Sequence, residues 1–204
     1  MMSSTRLALA TVHRGIAFEE RSMQLLQQHL SMSLRRVGGR DDGGVDLMGW
    51  WWLPTPDFDP SAREKLSKRR RIRVLAQCKA EKKKPGPHYI RELEGVLHRH
   101  ISLGSATAEH PLVALFVSES PFTKATLLRA QSSPAPIFFL HLPPELEPED
   151  DGAKNAIGTA VWNPALAGSR GLLGGKIEAR WERSVSGSGR PGLWRSSSNY
   201  RLPS

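Results

Sequence analysis

Two seven-residue runs, "LVALFVS" from Leu112 and "PIFFLHL" from Pro136, constrain this chain most. Each is almost wholly apolar, the pattern of a strand covered on both faces rather than half exposed. Between them, "SPFTKATLLRAQ" reads as a helix with Ser120 as N-cap and Pro121 at its first position. A strand–helix–strand connection of this length is a crossover, so at least this part of the sheet is parallel. The chain is predicted to be an α/β protein.

The upstream half adds the remaining core elements. From His13 to Met32 the apolar residues Ile16, Met23, Leu26 and Leu30 recur at helical spacing. Gly15 and Glu19 fall on one face of that helix, four residues apart, where a glycine would let the helix approach a sheet closely. Two strands are predicted next, over Leu34–Gly39 and Val45–Leu53, joined by a turn at Asp42-Gly43. The stretch from Pro54 to Arg71 reads as a loop insertion, and Ile72–Cys78 as the third strand. "AEKKKPGP" is a loop. "HYIRELEGVLHRHISLG" is a helix whose stripe is Ile90, Leu93, Val96 or Leu97, and Ile101, stopped by Gly104. The expected order is helix, three strands, helix, strand, helix, strand, over residues 13–142. Residues 143–204 form a C-terminal extension, with "IGTAVWNPALAG" and "GGKIEARWER" as strand or short helix against the main body and "SVSGSGRPG" as a flexible stretch.

Composition narrows the partners. The chain of 204 residues carries a formal net charge of +9, which suits a nucleic acid or an anionic membrane surface, or a basic protein with neither. No apolar run approaches the roughly 18 residues of a membrane helix, so a soluble protein is expected. No basic amphipathic helix with a clear apolar face argues for a membrane surface. A single cysteine, Cys78, excludes an intrachain disulfide and a cysteine zinc site, and its place inside a strand suits the core better than nucleophilic chemistry. His98 and His100 lie two apart on a helix and do not share a face, so they are read as surface residues. The first twelve residues hold Arg6, three Ser/Thr before it and no acid, a composition that suits a short mitochondrial targeting segment. Trp50 and Trp52 share one face of their strand and Trp51 takes the other, read mainly as core packing.

The third strand ends oddly. Val74, Leu75 and Ala76 are apolar, but Gln77 and Lys79 follow, two polar side chains on one face. An acid, Asp46, interrupts the neighbouring apolar strand, and Glu19 stands on the first helix. Taken singly, each has an ordinary structural explanation, such as a turn cap or an ion pair. Taken together, they fit metal-assisted phosphodiester hydrolysis. Mg²⁺ or Mn²⁺ would take hard oxygen ligands from Asp46, the Gln77 amide and the Cys78 backbone carbonyl. Lys79 would hold or deprotonate the attacking water, or stabilise developing charge. Glu19 would bind metal through water or orient the lysine. Arg69, Arg70, Arg71, Lys82, Lys83 and Lys84 are candidates for backbone phosphate contacts, and Arg91 for a phosphate near the site.

"RGIAFE", "GGVDLMG", "VLAQCKA" and "PFTKATLLRA", in this order, resemble the restriction-endonuclease-like PD-(D/E)xK superfamily in its Mrr-like branch. "GGVDLMGWW", "QCKAEKKKPGP" and "IRELEGVL" are similar to the fungal mitochondrial family called required for respiratory growth, member seven. The resemblance spans about Arg14 to Leu142. It implies an αβββαβ core with a mixed sheet flanked by helices, mitochondrial location, and a metal-dependent DNA nuclease or nuclease-like protein acting in genome maintenance. By residue it implies Glu19 as the helical acid, Asp46 as the metal-binding acid, and Gln77 and Lys79 as the last two catalytic positions. Gln77 stands where the general pattern has Asp or Glu, which removes one negative charge from the site. Double-stranded DNA is the expected partner, and a homodimer would suit cutting both strands. The competing expectation is a DNA-binding or scaffold protein that keeps the fold without turnover.

Overall fold

The computed structural model describes residues 4–38, 43–54, 69–104, 107, 110–144, 158–183 and 189–195. Its elements are α1 (Ser4–Leu30), β1 (Met32–Arg36), β2 (Leu47–Pro54), β3 (Arg69–Lys79), α2 (His88–Ser102), β4 (Leu112–Ser118), α3 (Lys124–Gln131), β5 (Ile137–His141), β6 (Thr159–Trp162), α4 (Pro164–Ala167), β7 (Ile177–Arg183) and β8 (Gly189–Arg195). The first six strands form one mixed sheet in the order β1-β2-β3-β4-β5-β6, and β7 pairs with β8 separately. β3–β4 and β4–β5 are parallel, as the crossover requires, and the other pairs are antiparallel. The expected αβββαβ order is therefore present. No helix among the described residues is long and apolar enough to cross a membrane.

Alternation along β3 sets up two cores. Ile72, Val74, Ala76 and Cys78 face α1, where Phe18, Leu25, Leu26 and Leu30 pack with Trp51 and Phe138. Leu75 faces the other way, toward α2, where Ile90, Leu93 and Leu97 pack with Phe116 and Phe139. Burial of both strand faces explains why β4 is apolar throughout: all seven of its residues are buried.

Several boundaries differ from the sequence expectation, each for a local reason. α1 starts at Ser4, so the segment resembling a targeting sequence is helical from there. Its core anchor is Phe18, with Ile16 and Met23 only half-buried. The helix ends two residues earlier than expected, because Ser31 takes a left-handed φ of 52° and turns the chain into β1. An added Cβ at Gly15 would meet nothing within 4 Å, so that glycine does not serve close helix–sheet packing. The close approach is at Gly49, where a Cβ would lie 2.0 Å from the Ser33 carbonyl oxygen across the β1–β2 pair. The turn before β2 uses positive φ at Gly43 (64°) and Gly44 (85°), while Asp42 lies outside the described residues. Arg69, Arg70 and Arg71 belong to β3, not to a loop: Pro54 pairs with Arg69 and Leu53 with Arg70.

The second helix keeps its predicted stripe except at Ile101, which is 53 % exposed beyond the last buried turn. α3 starts three residues later than expected. Thr123, not Ser120, is its N-cap, accepting from the Thr126 backbone N–H at 3.1 Å. Ser120 instead donates its hydroxyl to the Glu81 carbonyl at 2.6 Å.

The C-terminal segment is partly built into the core. β6 extends the main sheet beside β5, and Leu166 and Leu173 are buried against Phe138 and Leu140. Asn163 ties this segment down. Its side-chain oxygen accepts from the N–H groups of Ile137 (2.9 Å) and Leu166 (3.1 Å). Its amide nitrogen donates to the carbonyls of Ala130 (3.1 Å), Ser133 (3.4 Å) and Ala135 (2.8 Å). Part of "SVSGSGRPG" is β8, and residues 184–188 lie outside the described set.

Candidate active site

The sequence-predicted residues flank the end of β3 on both of its faces. Asp46 stands immediately before β2 rather than inside it. Its N–H donates to the Ala76 carbonyl at 2.8 Å, and its own carbonyl accepts from Val37 (2.9 Å) and Gly38 (3.2 Å). With its backbone held from both sides, the side chain is aimed along the sheet end. Oδ2 accepts from the Cys78 backbone N–H at 2.6 Å. β3 extends past β2 here, so Cys78 has no strand partner on that side and the carboxylate takes its place.

Glu19 reaches the same place from α1. A Cβ built at Gly38 would lie 3.5 Å from Asp46 Oδ1 and 3.6 Å from Glu19 Oε2, so both carboxylates border one small space beside this glycine. Glu19 Oε2 also accepts from Arg36 Nε at 2.8 Å. Arg36, at the end of β1, was not singled out by sequence reasoning. Its signal was its spacing: Met32, Leu34 and Arg36 share the α1 face. The Arg36 guanidinium is pushed further up from its ordinary range, chiefly by its hydrogen bond to Glu19, with the charges of Glu20 and Asp46 adding to it.

Gln77 and Lys79 arrive from the opposite face of the sheet. Gln77 is 5 % exposed, and its Oε1 is buried with no hydrogen-bond partner among the described residues. It lines a cleft of about 390 Å³ with Gly43, Gly44, Glu92, Val96 and Arg99. Lys79 Nζ lies 5.7 Å from the centre of the Tyr89 ring, which holds the ammonium over an aromatic face. Cys78 points into the α1 core and is a free, buried thiol. Burial pushes its ionisation well up, and the negative charge of Asp46 adds to the effect. It is a core residue, as expected.

The predicted cationic residues are only partly gathered. Lys82, Lys83 and Lys84 are exposed in the loop that leaves Lys79. That loop is pinned at both ends, by Ser120 on the Glu81 carbonyl and by Thr126 on the Pro85 carbonyl at 2.6 Å. Arg71 stands eight residues before Lys79 on β3, roughly 26 Å away in an extended strand. Arg70 donates to the Leu172 carbonyl at 3.0 Å, so it serves the C-terminal packing. The side chain of Arg69 lies outside the described set. Arg91 is exposed and is not part of the Gln77 cleft; Arg99, two turns further along α2, is. Among the described residues, no group of three or more His, Cys, Asp or Glu side chains is placed to hold a metal ion.

Residues 10–166 match the family described as Required for respiratory growth protein 7. The chain belongs to this family. The Required for respiratory growth protein 7, mitochondrial, of Saccharomyces cerevisiae strain S288c is 28 % identical over 165 residues, covering 67 % of this chain and 67 % of that protein. An uncharacterized mitochondrial protein of Schizosaccharomyces pombe is 35 % identical over 119 residues, or 54 % of this chain. This chain spans only 43 % of the length of that relative. A solved structure, the MspJI restriction endonuclease in complex with a 27-mer oligonucleotide, aligns with a TM-score of 0.42 at 14 % identity, over 68 % of this chain and 30 % of that one. The family match ends at Leu166, so it includes β6 and the Asn163 junction that the sequence motifs had left outside the core.

Proposed function

We propose that this member of the Required for respiratory growth protein 7 family is a mitochondrial protein that hydrolyses nucleic-acid phosphodiesters with a bound divalent cation. Its mitochondrial place and its service to respiratory growth follow its relatives' names. One observation carries the chemistry: a buried amide oxygen, Gln77 Oε1, with no partner among the described residues, on a strand that ends beside Asp46. An unsatisfied buried acceptor costs about 1–3 kcal/mol, so the position makes sense when something comes to it. The donor set suits a hard cation. Asp46 Oδ1, Gln77 Oε1 and the Cys78 carbonyl are all oxygens, as Mg²⁺ and Mn²⁺ prefer.

Such a cation supplies Lewis acidity and a more acidic bound water. The chain's own residues do the rest. The Cys78 N–H fixes the Asp46 carboxylate. Tyr89 holds the Lys79 ammonium at the end of the strand, where it can orient water or meet charge on a phosphate. Arg36 holds Glu19 in place. Double-stranded DNA is the substrate we propose, in mitochondrial genome maintenance, with a homodimer as the arrangement that would cut both strands.

A second reading is a nuclease-like DNA-binding or scaffold protein without turnover. It is favoured by the Arg36–Glu19 ion pair, which, with Lys79, balances the two acids at the site and weakens its pull on a dication. Cleavage of supercoiled, linear and single-stranded DNA with Mg²⁺ or Mn²⁺ separates the two. Metal-dependent cutting that is lost in Asp46→Asn and Lys79→Ala, with the fold intact by circular dichroism, is expected. Binding without cutting in either metal selects the second reading.

A further inference from the structure

A second basic surface lies on the α2 face of the sheet, away from Asp46. Ser33, Trp50 and Arg73 form one row across β1, β2 and β3, and Trp52 and Arg71 stand opposite each other in the next. α2 covers this face over β3 and β4 through Ile90, Leu93 and Leu97 but leaves the β1–β2 side open. There a second groove of about 390 Å³ is lined by Ser33, Arg35, Met48, Trp50 and Arg73.

Two guanidinium groups crowd one aromatic ring at this groove. Arg71 lies 4.6 Å and Arg73 5.5 Å from the centre of the Trp50 ring, so two guanidinium groups share one indole. Arg71 Nε donates to His110 Nε2 at 2.7 Å, and His110 meets the Trp50 ring edge-on at 5.3 Å. Among the described residues Arg73 donates to the Met48 sulfur, at 3.2 Å, a weak acceptor, and its Nε is buried without a partner. Among the described residues, no carboxylate pairs with Arg35, Arg71 or Arg73. Two like charges packed on one ring repel each other unless an anion joins them.

We infer that this groove binds a nucleic-acid strand and leads it toward Gln77 and Lys79. Charge complementarity selects a polyanion. The interleaved aromatic and guanidinium planes suit a strand whose bases can stack while its phosphates meet arginine. A recessed groove with a half-buried indole suits a strand better than a flat lipid surface. Gln77 stands four residues beyond Arg73 on β3, about 13 Å further along; Leu75 between them is buried under α2, so the nucleic-acid strand would follow the open β1–β2 side. The destination of the track rests on the phosphodiester reading; the binding does not.

Fluorescence anisotropy with labelled 20-mer single-stranded and duplex DNA and single-stranded RNA, in EDTA, tests it. Arg71→Gln/Arg73→Gln is expected to weaken binding at least tenfold and to flatten its dependence on log salt by roughly 0.7–0.9 per lost phosphate contact. Arg170→Gln, exposed and elsewhere, should leave both unchanged. Should the double variant misfold, Arg35→Gln decides, since Arg35 is exposed and expected to weaken binding alone. Wild-type affinity and salt slope in the folded arginine variants would overturn the proposal. So would loss of binding only to phosphatidylglycerol vesicles. Lost binding in the variants, with a wild type that never cuts, keeps the track and removes the nuclease. Intact binding with metal-dependent cutting does the reverse.

Discussion

Asn163 and Gln77 are both buried amides, at 1 % and 5 % exposure, and they are used in opposite ways. The Asn163 side chain is saturated. It holds the end of α3, the start of β5 and the cap of α4 in one knot. Gln77 sits in a comparable degree of burial with its oxygen unmet among the described residues. A saturated amide specifies a fold; an unsatisfied amide oxygen at a strand end, near a carboxylate, is open to a ligand. The difference separates the architecture of the β5–β6 side from the candidate site at the end of β3.

The comparison can be broken most directly at Asn163. Asn163→Ala takes the side-chain partner from the Ile137 N–H and the Ser133 and Ala135 carbonyls, while the Leu166 N–H keeps the Asn163 carbonyl and the Ala130 carbonyl keeps the Ser133 N–H; a loss of about 3 kcal/mol is expected. Urea unfolding followed by far-UV circular dichroism would measure it, and a midpoint close to wild type would show that the knot is not structural. Gln77→Leu sharpens the contrast. It conserves volume and removes the unmet acceptor, so stability should stay within about 1 kcal/mol of wild type while metal-stimulated cutting disappears. A large destabilisation there would make Gln77 a second structural amide.

The smallest expected effect concerns pH. Burial lowers the ionisation of His141 and His100 below the ordinary 6.5, and for His100 the nearby Arg73 and Arg99 add to it. The folded state therefore prefers the neutral imidazoles. Their contribution to stability is full above about pH 6.5 and is lost as pH falls through the lowered folded values. The unfolding midpoint should drop on acidification from pH 7.5 to 5, and His141→Gln should shallow that slope. An unchanged slope would mean that His141 protonates freely in the native state.

Much of this was legible in the sequence. The apolar runs at β4 and β5 gave the parallel centre because burial on both faces leaves little room for other residues. Gln77 and Lys79 were legible because alternation makes a polar pair at a strand end conspicuous. Asn163 was harder to see. Its signal, an asparagine before Pro164, marks a helix cap, but the reach of its amide back to Ile137 and Ala135 depends on tertiary placement. Arg36 and Arg99 were missed for a related reason: each matters through a residue on another element. The arginine triplet was misplaced because charged residues next to a proline-rich stretch look like loop, although strand pairing with Trp52 and Leu53 holds them in β3.

The loop of Lys82, Lys83 and Lys84 carries one more consequence. Because Ser120 and Thr126 clamp it at Glu81 and Pro85, its backbone has already given up its conformational freedom on folding. A polyanion that docks there need not order a floppy basic arm, so less of the Coulombic attraction is offset by lost entropy. The clamped backbone fixes where the three lysines are anchored, beside the end of β3, while their long stems keep the freedom to meet a phosphate.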